Sequence, residues 1–405
     1  MAKYCVVVLW LCFSAYALGE NKNLPPIYVY HDSDYSTHKT SAVAIKMGFL
    51  TALSEVDKQV QGFEVKLLSK DHRGNSNRSF LHFKRFLKDP SALFVLGGLH
   101  SPPYIKYREF INKNEIPLLV PWAAGGPITR YDQGENWVYR LSVDDTKAGP
   151  KLVEFATARS CKKPHLLLER TPWGKSNYKS IGKAMNNEQP DVTWFDWGMK
   201  VSSAKIHIRE MLAKDSDCLL FVGNSIEGKQ LISAMADYPN DQRLPIISHW
   251  GITGGDFFSK AKVDLASGID LHFIQSCFSF QHRPMSDYAK QVWQRAKTLF
   301  SDEFAERDFL FAPTGFIHGY DLGKVSLAAM AQIKLTGDMG RDRSAFKESL
   351  ENLTTPVTGL IKTYKKPFSK WSSNDPDAHE ALGLKDLCMA YFQSNGSTKV
   401  LVDNS

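Results

Sequence analysis

After its first seventeen residues this chain has no segment that approaches eighteen uninterrupted apolar positions, so no membrane-spanning helix is expected there. Blocks of like charge are missing too. The 50 basic and 43 acidic residues are interspersed, with no five of one sign in a row, which excludes the clustered patch that nucleic acid binding requires. No G-x-S-x-G elbow occurs and no pair of carboxylates brackets an evident pocket, so no enzyme is expected. Asp377-Ala378-His379-Glu380 lacks the second histidine of a zincin, and no spacing supplies three or four convergent ligands. Neither a metal nor a cofactor is therefore expected. A P-loop is narrowly missed: Gly223 to Lys229 follows a strand and opens a helix, but Gln230 stands where a Ser or Thr would bind magnesium.

Cysteine is scarce, six in all, and two of the six fall in the first twelve residues. That opening stretch carries Lys3, an apolar run from Cys5 to Phe13 and the triplet Ala15-Tyr16-Ala17. It reads as a secretory signal peptide over residues 1–17, which places the protein in the periplasm. Four cysteines then remain in an oxidising compartment, enough for two disulfides. Cys161 and Cys218 stand at the start of apolar runs, at the same end of neighbouring strands if the sheet is doubly wound, and are the candidate pair. Free buried thiols are the alternative.

The most informative stretch runs from Leu93 to Thr129. Two short apolar runs, Leu93 to Leu96 and Ile116 to Val120, flank a helical segment from Tyr104 to Asn114. Each run breaks abruptly, the first at Gly97-Gly98-Leu99-His100-Ser101, the second at Pro121-Trp122-Ala123-Ala124-Gly125-Gly126. This is a βαβ unit, and in such sheets ligands bind beyond the carboxyl ends of the strands. Strands alternate with helices from Ile27 to Val143, and the alternation resumes from Ala148 to Ser248, giving two doubly wound parallel units with no low-complexity linker between them. The tail differs. Ser286–Phe300 and Pro313–Ile333 read as helices, and Leu387–Phe392 with Lys399–Val402, joined across Asn395-Gly396, as a β-hairpin.

Trp122, Trp173 and Trp250 fall at strand ends, with Tyr35 in the first loop. They suggest an aromatic site for a flat ligand, a sugar face or a cation, against the alternative that they pack the hinge. His100 and His249 can donate hydrogen bonds to an anionic ligand.

The segments VLGGLHSP, IPLLVPWAAGGPIT, YRLSVDD, LLLERTPWGKSN and LPIISHWGITGG, in that order, resemble type 1 periplasmic solute-binding proteins of ABC importers, the branch similar to leucine/isoleucine/valine-binding proteins. The resemblance covers essentially the whole chain after the leader. It implies an α/β architecture of two parallel-sheet lobes joined by a hinge, with the ligand in the cleft and closure on binding. Lobe 1 is expected over 25–143 plus about 277–353, and lobe 2 over 144–276 plus about 354–405. By the same resemblance Ser101 and the run Trp122, Ala123, Ala124 hold a ligand carboxylate, and Trp173 stacks on the ligand. The lobe-two positions that hold an ammonium in amino-acid binders read Asn224-Ser225 and His249-Trp250, none of them acidic, while Glu227 is read with the helix that follows. Because a buried ammonium without a carboxylate is costly, a plain α-amino acid is not the expected ligand. The implied partners are a small polar or aromatic, carboxylate-bearing solute and an inner-membrane ABC permease, the protein acting as a monomer. A subunit that senses the ligand and signals to a membrane receptor or kinase is the alternative.

Overall fold

The computed structural model describes residues 24–186, 190–281, 284–305 and 308–401. The leader expected over residues 1–17 and the terminal Val402 lie outside them. Two sheets organise the chain. The first takes β1 (Ile27–Ser33), β2 (Gln59–Val60), β3 (Phe63–Asp71), β4 (Ala92–Leu96), β5 (Leu118–Val120) and β6 (Val138–Arg140), in the order β2-β3-β1-β4-β5-β6. All of its pairings are parallel except the short β2–β3 turn. The second takes β7 (Pro164–Glu169), β8 (Asp191–Phe195), β9 (Cys218–Val222), β10 (Ile246–Ser248) and β11 (Leu271–Ser276). Beyond the small pair β12 (Val357–Thr358) and β13 (Thr363–Tyr364), the strands β14 (Leu387–Phe392) and β15 (Thr398–Leu401) complete the second sheet, in the order β15-β14-β11-β10-β9-β7-β8. β14 and β15 are antiparallel, as the Asn395-Gly396 turn predicts.

Local chemistry explains these elements. β4 and β9 are buried at every position, the pattern of strands covered by helices on both faces. Asn75, Asp144 and Thr171 each accept a backbone N–H at the start of a helix, and Pro172 occupies the first turn behind Thr171. The segment expected as one helix, Tyr104 to Asn114, is two short ones, Pro102–Lys106 and Arg108–Lys113. They break at Tyr107, whose ring stacks on Phe80 and whose hydroxyl reaches Asn77. A helix at Met339–Glu351 joins those expected in the tail; its signal is Asp338, which caps the Gly340 and Arg341 N–H groups.

The chain crosses between the sheets three times. It passes from β6 to β7, returns after β11 to helices that pack on the first sheet, and passes back before β14. Helix Pro313–Gln332 lies against helix Lys39–Ser54, and helix Met339–Glu351 against β4. The Cys161–Cys218 disulfide is present, joining the approach to β7 with its neighbour β9. A second bond, Cys277–Cys388, ties the end of β11 to β14.

Candidate functional site

The carboxyl ends of both sheets turn toward one another, and the loops that leave them touch. Gly126 donates to Ser176 Oγ at 3.1 Å, and Gly255 to Ser41 Oγ at 3.1 Å, each bond running from one lobe to the other. On the first lobe, Ser101 follows the Gly97-Gly98 break, and its hydroxyl accepts the Gly125 N–H at 3.0 Å while keeping its own proton to donate. A Cβ on Gly125 would come within 3.0 Å of Ser101 Cβ, so glycine is what lets these two loops close together. The main chain here is largely committed: Ala123 donates to Gly98, and its carbonyl accepts from Arg140. The Ala124 carbonyl accepts from Asp145 N–H.

A histidine-rich shell lines the same ends of the first sheet. His31, His72 and His100 are buried there, and His38 nearly so. Burial pushes the His31 and His100 imidazoles down to about 3, so both are neutral near pH 7. Burial works against the Asp34 charge, but hydrogen bonds from His100, His38 and the Thr37 N–H outweigh it and hold that carboxyl well below the usual range. Tyr35 sits at the rim with its hydroxyl against His31 Nδ1 at 2.6 Å and Ser69 Oγ at 2.9 Å.

The second lobe presents a different set. Trp173 donates from its indole to Asp145 at 3.2 Å and meets His249 edge-on at 5.1 Å. Asp145 also takes Asn177 at 2.8 Å and lies 3.3 Å from His249 Nε2, off the line of a hydrogen bond. Trp250 is fully buried between His249 and His318. Asn224 donates to Glu169 at 2.9 Å, and Ser225 opens the helix Ser225–Ala236 with its hydroxyl against Gly255.

Of the residues picked from the sequence, His100, Ser101, Trp173, Asn224, Ser225 and His249 therefore come together around the junction. Trp122 is placed elsewhere. It is wholly buried beneath helix Pro313–Gln332, where a Cβ on Gly315 would stand 2.8 Å from its ring. Ala123 and Trp250 are likewise packed into the cores.

Three groups in this region were not picked from the sequence. Glu169 ends β7 with its carboxylate buried, held by Trp197, Thr171 and Asn224, and burial pushes it up to about 7. Glu227 does not run down its helix into solvent; it is buried and accepts the Gly198 N–H at 2.9 Å. Trp197, in the loop after β8, is 45% exposed, yet its ring stands 5.4 Å from His100 and packs on Gly74 of the first lobe. The available signal was Trp197-Gly198 directly after a strand.

Beside the junction a groove of about 970 Å³ opens between Arg108, Pro127 and Arg130 of the first lobe and Lys175, Lys179 and Lys183 of the second. Among the described residues its only acidic lining residue is Glu154. No described helix is long and apolar enough to cross a membrane.

No protein-family model matches this sequence, and no curated protein matches it. Solved structures do match. A type 1 periplasmic binding protein from Bordetella pertussis Tohama I is 14% identical over 93% of this chain and 99% of its own, with a TM-score of 0.76. A solute-binding protein of an ABC transporter from R. palustris, in complex with benzoate, is 14% identical over 93% and 95%, at 0.72. A branched-chain amino acid substrate-binding protein from Streptococcus pneumoniae, in complex with isoleucine, is 17% identical over 93% and 99%, at 0.71. The chain has the type 1 periplasmic binding protein fold, as its segments suggested.

Proposed function

We propose that the protein is the substrate-binding component of an ABC importer, exported to the periplasm, with a small carboxylate-bearing solute held between lobes that close over it. One observation carries this reading: strand ends of both sheets meet at one junction, bridged by the Gly126–Ser176 and Gly255–Ser41 hydrogen bonds, whose two sides differ in chemistry. The first wall supplies Ser101, which has a proton to donate, and the neutral imidazole of His100. The second supplies the Trp173 and Trp197 rings and the polar pair Asn224–Glu169. A carboxylate on the first wall and an aromatic or polar body against the second is the arrangement that fits. The five cations around the neighbouring groove favour an anionic solute by raising its local concentration. Glu169 and Glu227 bring acidic groups to the second lobe, so an amino-acid-like solute is compatible with this wall. The lobes are taken as 25–143 plus about 277–353, and 144–276 plus about 354–405, and the permease would read their outer surfaces.

The test is a thermal-shift screen of the purified protein against amino acids, aromatic carboxylates, quaternary amines and short sugars. A solute bound only by the folded state stabilises it by about 2.7 kcal/mol at a hundredfold excess over its Kd. The expected hit carries a carboxylate and loses affinity in Ser101→Ala and in Trp197→Ala. A hit that both variants bind unchanged would remove the cleft from the proposal, and a quaternary amine or uncharged sugar as best hit would overturn the solute class.

A further inference from the structure

We propose that Asp34, His38 and His100 form a binding site for one divalent transition-metal cation of the zinc type, at the carboxyl ends of β1 and β4. The inference starts from three atoms. His38 Nδ1 lies 3.2 Å from Asp34 Oδ2, His100 Nε2 lies 3.3 Å from the same oxygen, and the two nitrogens are 3.2 Å apart. Hydrogen bonds do not close this triangle around a carboxylate oxygen, which only accepts. If both imidazoles donate to the carboxylate, their N–H groups face each other. If one accepts from the other, its lone pair faces the carboxylate oxygen. Every such proton arrangement leaves one repulsive edge in a buried place, and a cation at the centre makes all three edges attractive.

The size of the triangle agrees. Four donors about 2.0–2.1 Å from a tetrahedral zinc stand about 3.3 Å apart, so the three atoms match one face of that tetrahedron. Two imidazoles and one carboxylate favour zinc, cobalt, nickel or iron over magnesium and calcium, which prefer an all-oxygen shell. The ligands are also held from behind. Asp34 Oδ1 accepts the Ser36 and Thr37 N–H groups at 3.1 and 2.8 Å, which fixes Oδ2 toward the histidines. His38 is anchored at the start of helix Lys39–Ser54, and His100 in the loop after β4, packed between the rings of His72 and Trp197. Since Trp197 belongs to the second lobe, the ion would enter and leave when the lobes part. The other convergent set among the described residues, Cys161, Asp217 and Cys218, is not available in this form because its sulfurs are bonded to each other.

The site does not depend on the solute reading and is tested without any solute. The full chain, stripped with a chelator, is titrated with Co2+ followed by visible absorption, then with Zn2+ in competition, with magnesium as a parallel arm. The expected result is uptake of a single equivalent, the absorption of a tetrahedral cobalt centre, and a rise in Tm that the chelator reverses. His38→Ala and His100→Ala should each weaken cobalt binding by at least a hundredfold. Asp34→Asn is nearly isosteric and keeps an acceptor for Ser36 and Thr37, so it serves if a histidine variant does not fold. No stoichiometric uptake by the wild type, unchanged affinity in a folded variant, or equal preference for magnesium would each overturn the assignment.

Discussion

The indole of Trp197 lies 5.4 Å from the imidazole of His100, and the two residues belong to loops on different sheets. Their contact exists only while the lobes are together, so it reports closure. The Trp197 ring is nearly half exposed and contributes little to either core. Its removal is therefore expected to act on binding more than on folding. An aromatic contact of this kind contributes roughly 0.5–1.5 kcal/mol beyond its buried area. Trp197→Ala should weaken the solute found by screening about two- to tenfold, measured by isothermal titration, and lower the Tm of the free protein only modestly, through the lost hydrogen bond to Glu169. A large fall in Tm would mean that the ring holds the fold instead.

Glu169 makes the second lobe sensitive to pH. Burial raises its carboxyl from 4.5 to about 7, Glu227 adds to the rise, and hydrogen bonds from Trp197, Thr171 and Asn224 partly oppose it. A carboxyl whose folded pKa lies above its unfolded value contributes stability in its protonated form. That contribution is complete below about pH 4.5 and is lost as pH rises through about 7. At 1.36 kcal/mol per unit the change is about 3 kcal/mol. Urea unfolding of wild type and Glu169→Gln across this range should give two curves whose difference grows with pH, the variant being the more stable at pH 8. Parallel curves would show that Glu169 is ionised throughout. Solutes bearing an ammonium should bind more tightly as pH rises through 7, and solutes with a carboxylate alone should not.

The two parallel units, with their alternation of strands and helices, were legible in the sequence because apolar runs ending in Gly and Pro mark the carboxyl ends of parallel strands. Ser101, Trp173, Asn224 and His249 stand out as candidates for the same reason. What periodicity does not encode is which side chain at a strand end turns toward the opposite lobe. Trp122 stands at such an end and is buried under Gly315, whereas Trp197 stands at another and reaches across. The Asp34–His38–His100 triangle is invisible for a related reason: β1 and β4 must be paired before His100 meets the other two. Cys161 and Cys218 were readable from their places beside adjacent strands. Cys277 and Cys388 were not, because their bond depends on the antiparallel β11–β14 pairing, which joins segments 111 residues apart.

Helices Lys39–Ser54 and Pro313–Gln332 approach each other backbone to backbone. A Cβ on Gly48 would stand 2.1 Å from the Phe316 carbonyl oxygen, and one on Gly319 would stand 2.4 Å from that of Ile45. Neither obstacle is a flexible side chain, so the helices must separate to accept a methyl group. Overpacking costs typically 1–3 kcal/mol, and here the upper end is expected. Gly48→Ala and Gly319→Ala should each lower the urea midpoint with the slope unchanged. Because both open the same interface, the double variant should cost less than the sum of the two. Additive losses would mean that each site relaxes separately.

Arg140 and Glu380 form a fully buried pair where two of the crossing segments run side by side. The guanidinium donates from Nε to one carboxylate oxygen at 2.9 Å and from Nη2 to the other at 2.6 Å. Backbone bonds flank the pair, Arg140 N–H to the His379 carbonyl and Ala381 N–H to that of Arg140. The remaining nitrogen, Nη1, holds the carbonyls of Ala123 and Gly125, so the same arginine shapes the loop that carries the Ser101 contact. Deleting one member of such a pair leaves a buried charge unmatched and costs about 3–5 kcal/mol, whereas replacing both with apolar residues is often near neutral. Glu380→Ala is therefore expected to lower Tm steeply, while Arg140→Met with Glu380→Leu recovers much of the loss. The recovered protein should still bind solute poorly, because the Ala123 and Gly125 carbonyls have lost their donor. Chemical unfolding and titration of the same three variants read the two effects separately. Solute affinity that returned with stability in the double variant would show that Arg140 serves the hinge alone.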